Sequence, residues 1–152
     1  MVINAPLDQN KLETIIIDIE ASIRELTVLA KLPAEDLARD RKNYALAEYY
    51  FRRALEGILT AGTYLVSRLP AKTRNYRDIL IALGQHKIVP PEFAERNKDL
   101  ADYRNRLVHL YWEITPIEIH RIINEHLKDL NDFCGYFKQV LARPQDFNLT
   151  LE

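Results

Sequence analysis

A single cysteine, Cys134, stands among the 152 residues. That excludes an internal disulfide framework and any cysteine-based zinc site, and it fits a reducing compartment. Cys134 itself reads as a small buried hydrophobe. Glycine is also scarce: four residues are too few for the tight turns of an all-β fold, so helices are the natural reading. No apolar run approaches the roughly 18 to 20 residues needed to cross a bilayer, and Met1 to Asn10 lacks a basic start followed by an apolar stretch. A cytoplasmic protein with no membrane partner is the expectation. With a net charge of -1, no global field draws the chain onto nucleic acid, and any RNA contact has to come from a local basic patch. The histidines form no helical two-histidine pair with an acid, so neither a metal site nor a cofactor is expected.

What is present is apolar residues at helical spacing. An apolar fraction of 47% and a charged fraction of 28% describe a globular chain of one domain, residues 1–152. Leu12, Ile15, Ile16, Ile19, Ile23, Leu26 and Leu29 predict an amphipathic helix from Lys11 to Leu32, stopped by Pro33. A second run carries Leu37, Tyr44, Ala47, Phe51, Leu55, Ile58, Leu59, Gly62 and Leu65 up to Leu69-Pro70. Its length predicts either a break near Asp40 to Asn43 or a bundle helix that serves an interface as well. Asn75 to Leu83 reads as a short helix ending at Gly84, a good left-handed cap. After Val89-Pro90-Pro91 a fourth helix runs from about Glu92 into the stretch Arg104 to His109. Thr115-Pro116-Ile117-Glu118 is a capping box with proline at the first helical position, and it opens a last long helix that ends before Pro144. The tail from Gln145 to Glu152 reads as irregular. The predicted fold is all-α: an up-and-down bundle of four long helices plus a short one.

Chemistry concentrates in Arg104-Asn105-Arg106-Leu107-Val108-His109-Leu110-Tyr111. An arginine holds phosphate oxygens with a fixed fork of donors, and an imidazole moves a proton near neutral pH. Asn105 and His109 lie four apart on one helix face, so the amide could fix the imidazole tautomer. The last turn before Thr115 could loosen and let the His109 ring swing toward Arg104. Structural readings stand beside these: His109 as a C-terminal cap, Arg104 paired with an acid such as Asp99, Tyr111 as core. The Arg-x-x-x-x-His spacing occurs a second time, from Arg121 to His126 in mid-helix. There, residues five apart diverge by about 140°, and a solvated face is the plain reading. Arg104 and Arg106 would supply local positive charge, with Lys72, Arg74 and Arg77 better read as solvated. Glu56, inside an apolar stretch, could pair with a basic residue of the fourth helix. His86 and His120 carry no functional expectation.

The string Arg104-Asn105-x-Leu107-Val108-His109-x-Tyr111 resembles the Arg-Asn-x-x-x-His-x-Tyr signature of HepT-type toxins, members of the HEPN superfamily of helical-bundle ribonucleases. The likeness covers most of the chain. Ala54-Leu55-Glu56 in a long helix, the Tyr76 segment before Leu83-Gly84, and Ile114-Thr115-Pro116 before the final helix fall in that family's order. The resemblance implies a metal-independent endoribonuclease toxin, a homodimer whose two motifs face one cleft, with RNA, by family likeness tRNA, as substrate. It also implies a nucleotidyltransferase-fold antitoxin that silences the toxin by transferring AMP to the motif tyrosine, here Tyr111. The catalytic residues are then Arg104, His109 and Asn105, with Arg106 on the RNA. An alternative is a non-catalytic HEPN-like bundle that binds a nucleotide or a nucleotidyltransferase partner.

Overall fold

A computed structural model describes residues 5–152, except for the side chain of Tyr111. Among the described residues there are seven α-helices: α1 Gln9–Ala30, α2 Ala34–Arg39, α3 Arg41–Val66, α4 Tyr76–Gln85, α5 Pro91–Asn97, α6 Leu100–His109 and α7 Pro116–Ala142. Two 3-10 turns, Tyr111–Glu113 and Pro144–Phe147, follow α6 and α7. The fold is all-α, as the apolar spacing requires. None of the described helices is long and apolar enough to cross a membrane.

Side chains that compete for backbone donors set the helix starts. Asp8 accepts from the Lys11 amide at 3.1 Å, Asp40 from Lys42 at 2.9 Å, Asn75 from Asp78 at 2.9 Å and Thr115 from Glu118 at 3.1 Å. Asp40 thus makes the break expected in the second apolar run and separates α2 from α3. The helices α1, α3 and α7 pack against one another around Leu12, Ile19, Leu26, Phe51, Leu55, Ile58, Phe133 and Phe137, all at most 1% exposed. Each such side chain contributes about 1.5–3 kcal/mol on burial, against at most about 1 kcal/mol for an exposed ion pair. The core therefore holds the bundle, and the polar contacts adjust its angles.

Three expectations need correction. The fourth predicted helix is two, because the buried Asn97 turns its amide nitrogen onto the Phe93 carbonyl at 3.0 Å, a local competition that disturbs the ladder. The next bonds run three residues back, Asp102 N–H to Asp99 at 2.9 Å, and α6 starts afresh. Gly84 does not cap α4 with a left-handed conformation; Lys87 adopts that conformation, with φ 58°. Gly84 lies inside α4, where a Cβ would come within 2.6 Å of the Ala94 methyl, so the missing side chain is what lets α5 close on α4. The tail is docked as well as irregular. Leu149 is buried, and Leu7 exchanges backbone hydrogen bonds with Thr150 and Glu152, both at 2.8 Å, in an isolated bridge to Leu151.

Candidate active site on α6

Helix α6 hangs on the bundle by Leu100, Ala101 and Leu107, which are buried, and by Tyr103, whose ring meets Phe51 at 6.4 Å and His126 at 5.7 Å. Its last turn is held by Arg106, which donates twice to Glu118 of α7, at 2.7 and 3.2 Å. Those bonds hold the Glu118 carboxyl below the usual carboxylate range. Glu118, at the capping-box position of α7, thus also fixes the corner between α6 and α7. The turn between them is tied to α3 by the Tyr44 hydroxyl, which donates to the Ile114 carbonyl at 2.9 Å. Burial first, then the neighbouring Glu48 charge, pushes the Tyr44 phenol above its ordinary value.

On this frame Arg104 is half-buried, its side chain 20% exposed. Its guanidinium lies over the Tyr76 ring, 5.1 Å from the centroid. Its Nε lies 3.8 Å from Glu56, and its Nη1 donates to Asn105 Oδ1 at 3.2 Å. Glu56 meets the basic residue of α6 that the sequence led us to look for, and Asp99 is not that partner: it pairs with Arg77 at 3.1 Å. Cation–π contact, charge and hydrogen bonding together hold the arginine fork in one place.

His109 is the last residue of α6, exposed, and its side chain makes no hydrogen bond among the described residues. Helix α6 does not loosen before it: the Leu110 amide still donates to Arg106 at 2.8 Å. Arg104 and His109 therefore leave a regular helix about 140° apart, and no hydrogen bond joins them. The expected Asn105–His109 bond is absent too: the Asn105 amide oxygen is turned to Arg104 instead. Asn105 instead borders two open clefts. One, of about 410 Å³, is lined by Tyr76, Asn75, Arg74 and Thr73 of the α4 approach with Thr63 and Ile79. The other, of about 570 Å³, is lined by His109, Arg106, Asp102 and Leu110.

Arg106, read from the sequence as an RNA ligand, borders the second cleft with two donors already committed to Glu118. Tyr111 opens the 3-10 turn beside His109, and its side chain lies outside the described residues. Among the described residues no three His, Cys, Asp or Glu side chains are grouped to hold a metal. Arg74 reaches the first cleft, whereas Arg77 is spent on Asp99 and Asp102. Sequence reasoning missed Tyr76 and Glu118 as site residues. An aromatic directly after the Asn75 cap, and an acid two residues beyond Pro116, were the available signals.

The HepT-like ribonuclease model matches residues 19–137, a span that contains α6 and all of its supports. The chain belongs to the HepT-like ribonuclease family. Comparison with curated proteins finds no match. Among solved structures, the HepT-like chain superposes on YutE of Bacillus subtilis, described as a cytosolic protein of unknown function. The TM-score is 0.77 at 21% identity, over 95% of each chain. That likeness is one of fold.

The second Arg-x-x-x-x-His match lies on α7. Arg121 pairs with Glu125 at 3.1 Å on the surface, as a solvated face would. His126 departs from that reading: it packs inward on Tyr103, its side chain 18% exposed. Burial lowers its pKa below the ordinary histidine value. Cys134 is buried, and burial pushes its thiol up to about 12. His120 has a structural partner, its Nε2 lying 2.7 Å from the Leu32 carbonyl oxygen.

Proposed function

We propose that this HepT-like chain is a toxin-type endoribonuclease that cleaves RNA without a metal, with His109 as the proton carrier and Arg104 as the phosphate clamp. The observation that carries this reading is the division of labour on α6. A guanidinium is held in place by Tyr76, Glu56 and Asn105, while five residues on an imidazole stands open to solvent at the edge of a cleft. His109 takes the proton of a ribose 2'-hydroxyl, and the oxygen attacks the adjacent phosphorus. Arg104 neutralises the charge that grows on the phosphorane oxygens, an effect worth about 3–4 kcal/mol when the donor is preorganised. The bond to the 5'-oxygen breaks, leaving a 2',3'-cyclic phosphate, and the leaving oxygen needs a proton.

One copy of α6 offers a single histidine, and its Arg104 and His109 diverge. A two-fold homodimer with both motifs on one cleft supplies a second, protonated His109 for the leaving group. The exposed Leu110 and Ile117, 38% and 63% exposed beside the motif, offer apolar surface for such an association. In this reading the substrate is RNA, tRNA by family likeness, and the partner is a nucleotidyltransferase-fold antitoxin. Transfer of AMP to Tyr111 would put a phosphodiester two residues from His109, in competition with the RNA phosphate. Arg106 brings charge to the same cleft while it fixes the helix corner.

The test is cleavage of total tRNA by the purified chain in chelator-containing buffer, with product ends read by mass spectrometry. Cyclic phosphate ends that vanish with His109→Ala support the reading. Undiminished cleavage by that variant, or cleavage that stops on chelation, overturns it. Coexpression with an adjacent nucleotidyltransferase should add an AMP-sized mass at Tyr111.

A further inference from the structure

We infer that the cleft beside Tyr76 is a nucleobase subsite: it stacks one base of the RNA on the Tyr76 ring and favours guanine or uracil over adenine or cytosine. RNA as the ligand rests on the ribonuclease reading; the selectivity rests on the cleft itself. Its volume of about 410 Å³ falls in the range of small-molecule sites, about 300–1,000 Å³.

Tyr76 has the attributes of a stacking platform. It is 36% exposed, at the first position of α4, where a purely structural tyrosine would turn its ring into the core. The Arg104 guanidinium lies 5.1 Å from its centroid, so the ring is oriented before any ligand arrives. Unpaired RNA bases are held in this way, on aromatic rings and guanidinium planes. Because Arg104 is also the proposed phosphate clamp, the stacked base belongs to a nucleotide next to the bond being cut.

The polar rim sets the preference. Asn75 uses its side-chain oxygen on the Asp78 amide at 2.9 Å, and Asn105 uses its own on Arg104 at 3.2 Å. These bonds fix which end of each amide is committed. Both amide nitrogens are left as donors without a partner among the described residues, and Arg74 adds a third donor group to the lining. Thr63 spends its hydroxyl hydrogen on the Leu59 carbonyl at 2.7 Å and Thr73 can serve either role, so the bias is graded. Presented to the major-groove edge of a stacked base, a donor-rich rim matches O6 and N7 of guanine and O4 of uracil, and it faces the amino groups of adenine and cytosine with donors.

The experiment is equilibrium binding of labelled 2'-O-methyl tetranucleotides UUUU, GUGU, AAAA and CCCC to the full chain, read by fluorescence anisotropy, which needs no cleavage. The first two should bind about tenfold more tightly than the others. Tyr76→Ala should weaken them by about 5-fold to about 100-fold, while Tyr76→Phe keeps the stack and stays within about twofold. Asn75→Ser retains a helix cap but loses the amide donors, and it should reduce the base preference without changing the melting temperature. Equal binding of all four, no binding of any, or a folded Tyr76→Ala variant that binds like the parent overturns the subsite. Cleavage of the matching unmodified RNAs separates the two readings. Selective binding without cleavage keeps the subsite and removes the nuclease. Cleavage indifferent to base and to Tyr76→Ala keeps the nuclease and removes the subsite.

Discussion

The two Arg-x-x-x-x-His matches have the same spacing and opposite environments. On α6 the arginine is the enclosed member, 20% exposed, and the histidine is open. On α7 the arginine is 54% exposed, and the histidine is tucked against Tyr103. A regular helix turns residues five apart to different sides, so when one of them meets the core the other tends to meet water. The spacing by itself therefore selects no chemistry. What does is which of the two meets the core: a guanidinium held by neighbours is a ready phosphate site, while a buried imidazole is kept neutral and out of reach.

The sharpest break between the two matches comes from the histidines. His109→Ala should lower RNA cleavage by about 100-fold to about 10,000-fold with the melting temperature unchanged. His126→Ala should leave cleavage close to the parent's in the same single-turnover assay. The arginines follow. Arg104→Ala should cost about 100-fold to about 1,000-fold in turnover, and Arg104→Lys should not restore it, because an ammonium cannot reproduce the planar fork over Tyr76. Arg121→Ala should change neither cleavage nor melting.

Stability separates the pair in the other direction. His126→Ala should cost about 1 kcal/mol in denaturant melts at neutral pH. The folded state lowers the His126 pKa through burial, so the unfolded chain binds the proton more readily. Stability then falls as pH drops below the ordinary histidine value of 6.5 toward the lower folded one. His126→Phe should flatten that slope between pH 7 and pH 5. The smallest effect belongs to the corner. Glu118→Gln should cost about 0.5 kcal/mol at pH 7. Because the folded Glu118 pKa is depressed, this contribution is present above pH 4.5 and fades as acid carries the pH below it. Equal melting of parent and variant at pH 7 would remove the corner from the account.

Much of this could be read from the residues in order. Apolar spacing placed α1, α3 and α7, the break looked for near Asp40 to Asn43 falls at the Asp40 cap, and Thr115 announced the start of α7, because capping is a local competition for backbone donors. The Glu56–Arg104 approach was foreseeable from an acid stranded among apolar neighbours. Other features depend on partners far along the chain. Gly84 looks the same whether it caps α4 or makes room for Ala94. The Asn97 amide breaks the ladder because burial leaves it few alternatives to the Phe93 carbonyl. Arg106 reads as a free phosphate ligand until α7 turns the corner and brings Glu118 to it. Tyr76 became informative only once α6 laid Arg104 across its ring.

The short bridge between Leu7 and Leu151 ties the segment before α1 to the segment after α7. The helices between them form from neighbours in sequence and assemble early, while a contact between residues so far apart in sequence carries a large closure entropy and comes late. Such a clasp adds little to the speed of folding. It acts on the reverse journey, as a latch that has to open before the first and last helices can part, so weakening it should shorten the folded lifetime and leave the folding rate alone.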